Sequence, residues 1–474
     1  MEKIIGRKKE IQALTEYYNS GKPEFIAVYG RRRIGKTFLV RNTFKDKLCF
    51  DMTGSIDGST EVQLSNFWYA LKDLGNNNIS MPKNWNEAFN MLRHEIQPML
   101  NGKRIVIFID ELPCLDIAKS GFKQAFEHFW NGWAGNQQEI MLVVCGSATS
   151  WMIENLIDSH GGLHNRITHE IHLAPFSLGE TEEMLQEKGI VWPRISILQI
   201  YSIMGGVPYY LNLLDNGMGV EGNVDKLFFS EFGELKREYS RLYSSLFKNS
   251  ETYMKAIEAL AACKKGMTRK ELANKLNRPS GGTLTKILKE LTSCEFIRGY
   301  RTREKRIKQK DMLYQITDLY TMFYMTFCKN GTTDNAFWSH LMGKPKQNTW
   351  YGLAFERICM LHIEQIKQAL GIDRIHTEYY SWRSKTSMPA AQIDLIIERD
   401  DNLVNLCEIK YSQAQYSMTK EEEMKIRNRI ADFTSETAIS KGIITTMITT
   451  YGTRKNQHSA IVQSEVTMDD LFKC

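Results

Sequence analysis

Three groups of residues have types and spacings that could do chemistry. The first is Gly30-Arg31-Arg32-Arg33-Ile34-Gly35-Lys36-Thr37, followed by Phe38. Spaced glycines let backbone N–H groups close around a phosphate, Lys36 would reach the β- and γ-phosphates, and the Thr37 hydroxyl would ligate Mg²⁺. The second is Asp110-Glu111, at the end of the apolar run Arg104–Ile109. Asp110 would organise the magnesium shell, and Glu111, one residue further out, would act as base toward the attacking water. The third is Asp394, followed by Glu408-Ile409-Lys410, with Glu356 upstream. Alternation along a strand puts Glu408 and Lys410 on one side. Asp394 and Glu408, completed by Glu356, could hold a second divalent ion, Mg²⁺ or Mn²⁺, while Lys410 positions or activates a water for phosphodiester hydrolysis.

Each group has a plainer explanation. A surface turn can match the glycine pattern by chance, an acidic turn often follows a strand, and short acid-and-lysine patterns are common in solvated hairpins. Context separates the readings for the first two groups. Phe25-Ile26-Ala27-Val28-Tyr29 is a strand-like run entering the loop, and a helical segment leaves it from Phe38. That order, strand then glycine loop then helix, aims the helix's positive end at a bound anion. Two lesser candidates follow. Ser147 ends the apolar run Ile140–Cys145, where it could contact the γ-phosphate or the lytic water. Arg166 precedes a strand-like stretch, Ile167–Leu173, from which it could sense the γ-phosphate in cis or reach a neighbour's site.

The elements that position these groups need room. A chain of 474 residues exceeds one ordinary core, so about three domains are expected. Hydrophobic content of 42% and charged content of 24% are those of globular protein. The N-terminus lacks the build of a signal peptide and no apolar run is long enough to span a bilayer, so a cytoplasmic protein with no membrane partner is expected. Nine scattered cysteines form no CxxC pair and read as reduced thiols. The net charge is only +6, but Lys264–Lys310 holds fifteen Lys or Arg against four Glu. A positive block on an otherwise acidic chain points to a polyanion, with duplex DNA favoured and RNA left open.

The phosphate loop, Asp110-Glu111, Cys145-Gly146-Ser147, Pro175-Phe176-Ser177 and Gly205-Gly206-Val207-Pro208-Tyr209-Tyr210-Leu211 resemble, in this order, the archaeal-type ATPases. These are STAND-like relatives of the AAA ATPases. The resemblance implies ATP as the nucleotide, a parallel sheet with the phosphate-loop strand near its centre, and a helical lid whose Pro208 sits near the base or sugar. One departure is His164-Asn165-Arg166, where a tyrosine and glycine commonly precede the arginine.

Past the lid, a helix through Ala256 and Leu260 leads to Thr268-Arg269-Lys270-Glu271, a capping box that opens a second helix. A third helix through Leu284–Leu291 and two strands, Phe296–Tyr300 and Met312–Ile316, complete a winged-helix pattern. Its wing carries Arg301, Arg303, Lys305, Arg306, Lys308 and Lys310. Such a domain either reads DNA or latches the ATPase intramolecularly. The last domain, with its acidic strand followed by Glu-x-Lys, resembles the PD-(D/E)xK nucleases. The expected fold is therefore an α/β multidomain chain. It comprises an AAA-like P-loop NTPase domain (1–175), a helical lid (176–248), a winged helix (249–318) and a restriction-endonuclease-like α/β domain (319–474). The expected function is an ATPase switch coupling nucleotide state to DNA binding and cleavage, with oligomerisation open. The alternative is a nucleotide-gated scaffold without nuclease chemistry.

Overall fold

The computed structural model describes residues 3–158, 161–163, 165–263, 266–279, 281–300, 312–384 and 391–473. The expected wing, Arg301–Lys310, lies outside them, as does His164. The chain divides into two compact units, one running to Pro175 and including Ser244–Lys248, the other holding Phe176–Tyr243 and Asn249–Cys474.

The first unit is built on five parallel strands: β1 (Glu24–Tyr29), β2 (Leu48–Thr53), β3 (Ile105–Asp110), β4 (Ile140–Gly146) and β5 (His169–His172), ordered β2-β3-β4-β1-β5. Helices α1 (Lys8–Tyr18), α2 (Lys36–Thr43), α3 (Thr60–Lys72), α4 (Trp85–Ile96), α5 (Phe122–Gly132) and α6 (Thr149–Met152) complete it. The near-continuous apolar runs follow from burial of both sheet faces. Alternate residues sort into two cores. Phe25, Ala27, Ile107, Ile109 and Leu142 pack with α3, α4 and α5. Ile26, Val28, Val106, Phe108 and Met141 pack with Leu14 of α1 and Leu39 of α2. The phosphate-loop strand β1 lies beside the central strand β4, near the centre of the sheet as expected.

The second unit begins with helices α7 (Leu178–Glu187), α8 (Arg194–Met204), α9 (Pro208–Asn212), α10 (Val220–Val224) and most of α11 (Glu238–Leu246). A capping box at Ser177 and Glu180 opens α7. The Gly205-Gly206 turn ends α8 with both glycines at positive φ. A Cβ on Gly206 would lie 2.2 Å from the Phe176 carbonyl oxygen, so no larger residue fits there.

Helices α12 (Ser250–Ala261), α13 (Arg269–Lys275) and α14 (Gly282–Ser293) follow, with β6 (Met267–Thr268), β7 (Ile297–Tyr300) and β8 (Leu313–Ile316). The capping box of Thr268 and Glu271 opens α13 as the sequence requires. The strands form a sheet ordered β6-β8-β7, one strand more than expected, because two residues of β6 pair with β8.

The remainder holds α15 (Leu319–Phe323), α16 (Pro345–Leu361), α17 (Ile363–Ala369), β9 (Thr377–Arg383), β10 (Gln392–Arg399), β11 (Leu403–Lys410), α18 (Lys420–Thr437), β12 (Gly442–Thr449), β13 (Ser464–Thr467) and α19 (Met468–Leu471). Its sheet is mixed: β9, β10 and β11 are antiparallel, while β11, β12 and β13 are parallel. Phe323 packs edge-on against Trp338 and Trp350, an aromatic seam between α15 and α16. Residues of the stretch 176–248 share this core. Asp225 accepts hydrogen bonds from the Trp338 amide (2.7 Å) and the Ser339 amide (3.0 Å). The fully buried His362 accepts one from the Leu178 amide (3.0 Å) through Nε2 and donates from Nδ1 to the Ile358 carbonyl (2.9 Å). Among the described residues no helix is long and apolar enough to cross a membrane.

Candidate functional site

The loop after β1 turns sharply. Gly30 sits at φ 147°, where a Cβ would meet the Leu173 carbonyl oxygen at 2.3 Å, and Arg33 and Gly35 also have positive φ. A non-glycine residue held left-handed marks a backbone constrained by its surroundings. Ile34 plugs into the core beside α2, Arg31 is buried, Arg32 and Arg33 are half-buried, and Phe38 lies exposed in the first turn of α2.

The loop brings five of the expected side chains together. Lys36, only 5% exposed, donates from Nζ to the carbonyl oxygens of Gly30 and Arg31 (2.9 Å each) and to Ser147 Oγ (3.0 Å). Thr37 Oγ1 donates to Asp110 Oδ2 at 2.6 Å. Loss of water around Asp110 raises its pKa, a push that the Thr37 hydrogen bond offsets only in part. Glu111 follows with φ 47°, and its carboxylate accepts from Ser147 Oγ (2.7 Å) and from the Ser147 amide (3.2 Å). A lysine, a hydroxyl paired with a carboxylate, and a second carboxylate one residue further along the same strand end make a donor set that fits a hard cation carrying a triphosphate.

Two other expected residues come from other parts of the chain. Arg166 is exposed in the turn before β5. Pro208 begins α9 in the second unit. One set escaped the sequence reading: Arg41 of α2 pairs with Asp51 (2.8 and 3.0 Å) and bonds Thr53 Oγ1 (3.0 Å) at the end of β2. Thr53 is the β2 partner of Asp110 in register, so this pair ties α2 to the strand edge beside the carboxylates.

In the second unit Glu356 lies on α16, Asp394 on β10, and Glu408 and Lys410 on β11. Asp394 falls inside an irregularity of the β9–β10 pairing between Ile393 and Ile396, the kind of break that re-aims a side chain. Gln392 donates to Asp394 Oδ1 at 2.7 Å. Glu408 is held by Lys410 (2.7 Å) and, through its other oxygen, by Arg429 of α18. Burial alone would raise the Glu408 pKa, but Lys410 and Arg429 outweigh it and bring the carboxyl below its usual range. Burial, and then the charge of Asp394, push Glu356 up to about 7. The expected metal set does not gather: among the described residues no three His, Cys, Asp or Glu side chains are grouped to hold an ion. The physical reason is that both Glu408 oxygens face protein cations. Beside them a cleft of about 150 Å³ is lined by Glu408, Lys410, Tyr416, Glu422, Lys425 and Arg429.

One further cation approaches this site. Arg357, 5% exposed, has Nη1 4.0 Å from Glu356 Oε2. Arg298 of β7, half-buried, donates from Nε and Nη2 to Gln315 Oε1 (3.2 and 2.9 Å) and lies 5.1 Å from the Tyr300 ring. Loss of water, then repulsion by Arg357, lower the Arg298 pKa to about 10, while Tyr300, Tyr379 and Asp394 pull the other way. On the three-helix piece, Lys270, Lys275, Arg278, Lys286 and Lys289 are exposed.

Residues 4–214 match the profile of a family described as an ATPase domain predominantly from Archaea. The chain carries an archaeal-type ATPase domain. Beyond that domain the similarity continues in an uncharacterised protein of Methanocaldococcus jannaschii, 26% identical over 358 residues, which cover 75% of this chain and 76% of that one. An uncharacterised ATP-binding protein of the same organism is 40% identical over 44 residues, 9% of this chain and 75% of that one. Among solved structures, a Walker-type ATPase of Pyrococcus abyssi aligns with a TM-score of 0.47 at 16% identity, covering 68% of this chain and 96% of that one. The ORC2 protein of Aeropyrum pernix aligns with a TM-score of 0.43 at 14% identity, covering 72% and 96%. The fold of the ATPase domain rests on its own sheet order and loop geometry.

Proposed function

We propose that the chain is an ATP-hydrolysing switch that couples its nucleotide state to binding of duplex DNA. One observation carries this reading: Lys36, Ser147 and Glu111 form an unbroken hydrogen-bonded run beside the Thr37–Asp110 pair. In the proposed reaction Lys36 leaves its loop carbonyls for the β- and γ-phosphate oxygens, and Ser147 orients Glu111. Glu111 takes the proton of the attacking water. Thr37 and Asp110 would hold Mg²⁺, which when bound neutralises charge on the phosphates. Arg166, exposed on its turn, would serve a neighbouring copy, and Pro208 would flank the base. Phosphate release by wild type, Lys36→Ala and Glu111→Gln tests this. Turnover by Glu111→Gln at the wild-type rate would move the base elsewhere.

Residues 249–318 are read as a winged helix, supported by three helices, of which α13 and α14 bear exposed lysines, and by the β6-β8-β7 sheet. Its binding to duplex DNA should weaken steeply with salt. Residues 319–474 are read as a nuclease-like domain, with Asp394, Glu408 and Lys410 as its chemical group, Glu356 beside them, and a second Mg²⁺ or Mn²⁺ as their ligand. Plasmid incubated with Mn²⁺ and either wild type or Asp394→Ala tests that part. A second reading, a nucleotide-gated scaffold without cleavage, is favoured by the pairing of Glu408 with Lys410 and Arg429.

A further inference from the structure

Glu408 is held from two directions. Lys410, two residues on along β11 and on the same side of the strand, reaches Glu408 Oε1 at 2.7 Å, and Arg429 of α18 reaches the other oxygen through Nη1. Lys410 belongs to the Glu-x-Lys pattern, but nothing in that pattern calls for Arg429. Burial works against a charge on Glu408, and Lys410 and Arg429 outweigh it, so the carboxylate stays ionised. β10 and β11 are antiparallel with Leu395 opposite Cys407, so Asp394 and Glu408 are the next residues along each strand in that register and share the other face of the sheet. A divalent ion held between them would need the Glu408 oxygen that Arg429 covers.

Arg429 is also free to leave. Its side chain is 30% exposed, and it lines the cleft of about 150 Å³ beside Glu408 together with Lys425, one helical turn earlier on α18. Glu422, the other carboxylate of the cleft, has both oxygens engaged, one by the Tyr416 hydroxyl and the other by the Thr419 amide and hydroxyl (2.9 Å each). It therefore does not compete for the guanidinium. A phosphodiester does, because its paired oxygens match the two-pronged donor geometry of arginine.

We infer that Arg429 is a removable counter-cation: it closes one Glu408 oxygen to a divalent ion in the resting chain and gives that oxygen up when the phosphate of an entering nucleic-acid strand takes the guanidinium. The inference rests on reading 319–474 as nuclease-like, and it gives that site an order of binding. Nucleic acid comes first and the metal ion second. Lys410 keeps its place on the strand throughout, since its role in that reading is beside Glu408.

The test is Mn²⁺ binding to the full chain, followed by electron paramagnetic resonance, for wild type, Arg429→Gln, Arg427→Gln and the double variant Arg429→Gln/Glu408→Gln. Arg429→Gln should bind Mn²⁺ at least about tenfold tighter than wild type, the equivalent of one charge-assisted hydrogen bond no longer in competition. The double variant should lose that gain. Arg427 pairs with Glu423 at 2.7 Å on the same helix, so Arg427→Gln removes the same charge without uncovering Glu408 and should match wild type. If Arg429→Gln does not fold, Arg429→Met keeps the aliphatic stem and should give the same gain. A short oligothymidylate, with the Mn²⁺ that it binds alone subtracted, should tighten Mn²⁺ binding by wild type and leave Arg429→Gln unchanged. No gain in a folded Arg429 variant, an equal gain in Arg427→Gln, a gain that survives Glu408→Gln, or no effect of the oligomer on wild type overturns the inference. Plasmid cleavage in the same samples judges the nuclease reading separately. An Arg429→Gln chain that gains the metal without cutting leaves the inference standing and removes the nuclease. Wild type that cuts in an Asp394-dependent way, with no gain of Mn²⁺ in Arg429→Gln, does the reverse.

Discussion

The Ser147 hydroxyl donates to Glu111 Oε1 at 2.7 Å while accepting from Lys36 Nζ at 3.0 Å, so one side chain connects the proposed base to the lysine proposed to bind phosphate. The Ser147 amide fixes the other Glu111 oxygen. Replacing Ser147 with alanine removes the hydroxyl from both contacts and leaves the amide bond. ATP turnover should fall on the order of tenfold to a hundredfold, with the ATP dissociation constant changed little, because misplacement of a base costs rate more than binding. Steady-state kinetics beside equilibrium nucleotide titration separate the two effects.

Glu111→Gln should retain ATP while losing turnover by roughly a hundredfold or more, the usual contribution of a general base. Lys36→Ala should instead lose nucleotide affinity. Single-turnover phosphate release and calorimetry on the same preparations distinguish these patterns.

The Gly205-Gly206 turn was legible in the sequence as a lid feature, but the reason for the second glycine was not. Phe176 donates its amide to the Gly206 carbonyl at 2.8 Å, and the Phe176 carbonyl occupies the place of a Cβ. Gly206→Ala therefore combines a positive φ with a backbone clash and should destabilise the chain by roughly 2–4 kcal/mol. Thermal melting checks this, with Gly217→Ala as a control at a glycine without positive φ or close backbone.

Burial lowers the His362 pKa to about 4, below the value of about 6.5 expected in the unfolded chain. Between those values the unfolded state binds the extra proton, so stability is fully present above about pH 6.5 and is lost as pH falls toward 4. The loss attributable to this residue is about 3 kcal/mol. Melting temperatures measured across that range should decline less steeply in His362→Gln than in wild type.

If the exposed lysines of α13 and α14 touch phosphates, each neutral substitution should weaken duplex DNA binding evenly across sequences. Lys286→Gln should also reduce the slope of log affinity against log salt by about one. Anisotropy titrations at several salt concentrations measure both. A slope that does not change would place the contact elsewhere.

What the sequence revealed depended on how local the cause was. The β1–loop–α2 order, the buried β3 and β4 runs and the Thr268 capping box follow from neighbours in the chain, and local patterning displays them. Arg429 lies 21 residues from Glu408, Asp225 lies 113 from Trp338, and Leu178 lies 184 from His362. No periodicity or motif joins such partners, so the cations on the C-terminal carboxylates and the lid's attachment escaped the reading. β6 escaped for a different reason: two residues carry no pattern, and pairing with β8 alone makes them a strand.

The bonds from Asp225 to Trp338 and Ser339 set a limit on how the protein can be divided. A chain stopped at residue 318, where the motifs of a conventional ATPase with a DNA-binding tail would end, strands a carboxylate that is only 7% exposed and removes the aromatic wall next to it. Such a fragment should be insoluble or loosely folded. A nonsense mutation at that point would therefore disrupt the second unit as a whole rather than its last module alone, and loss of phenotype in such a mutant would say nothing about what that module does.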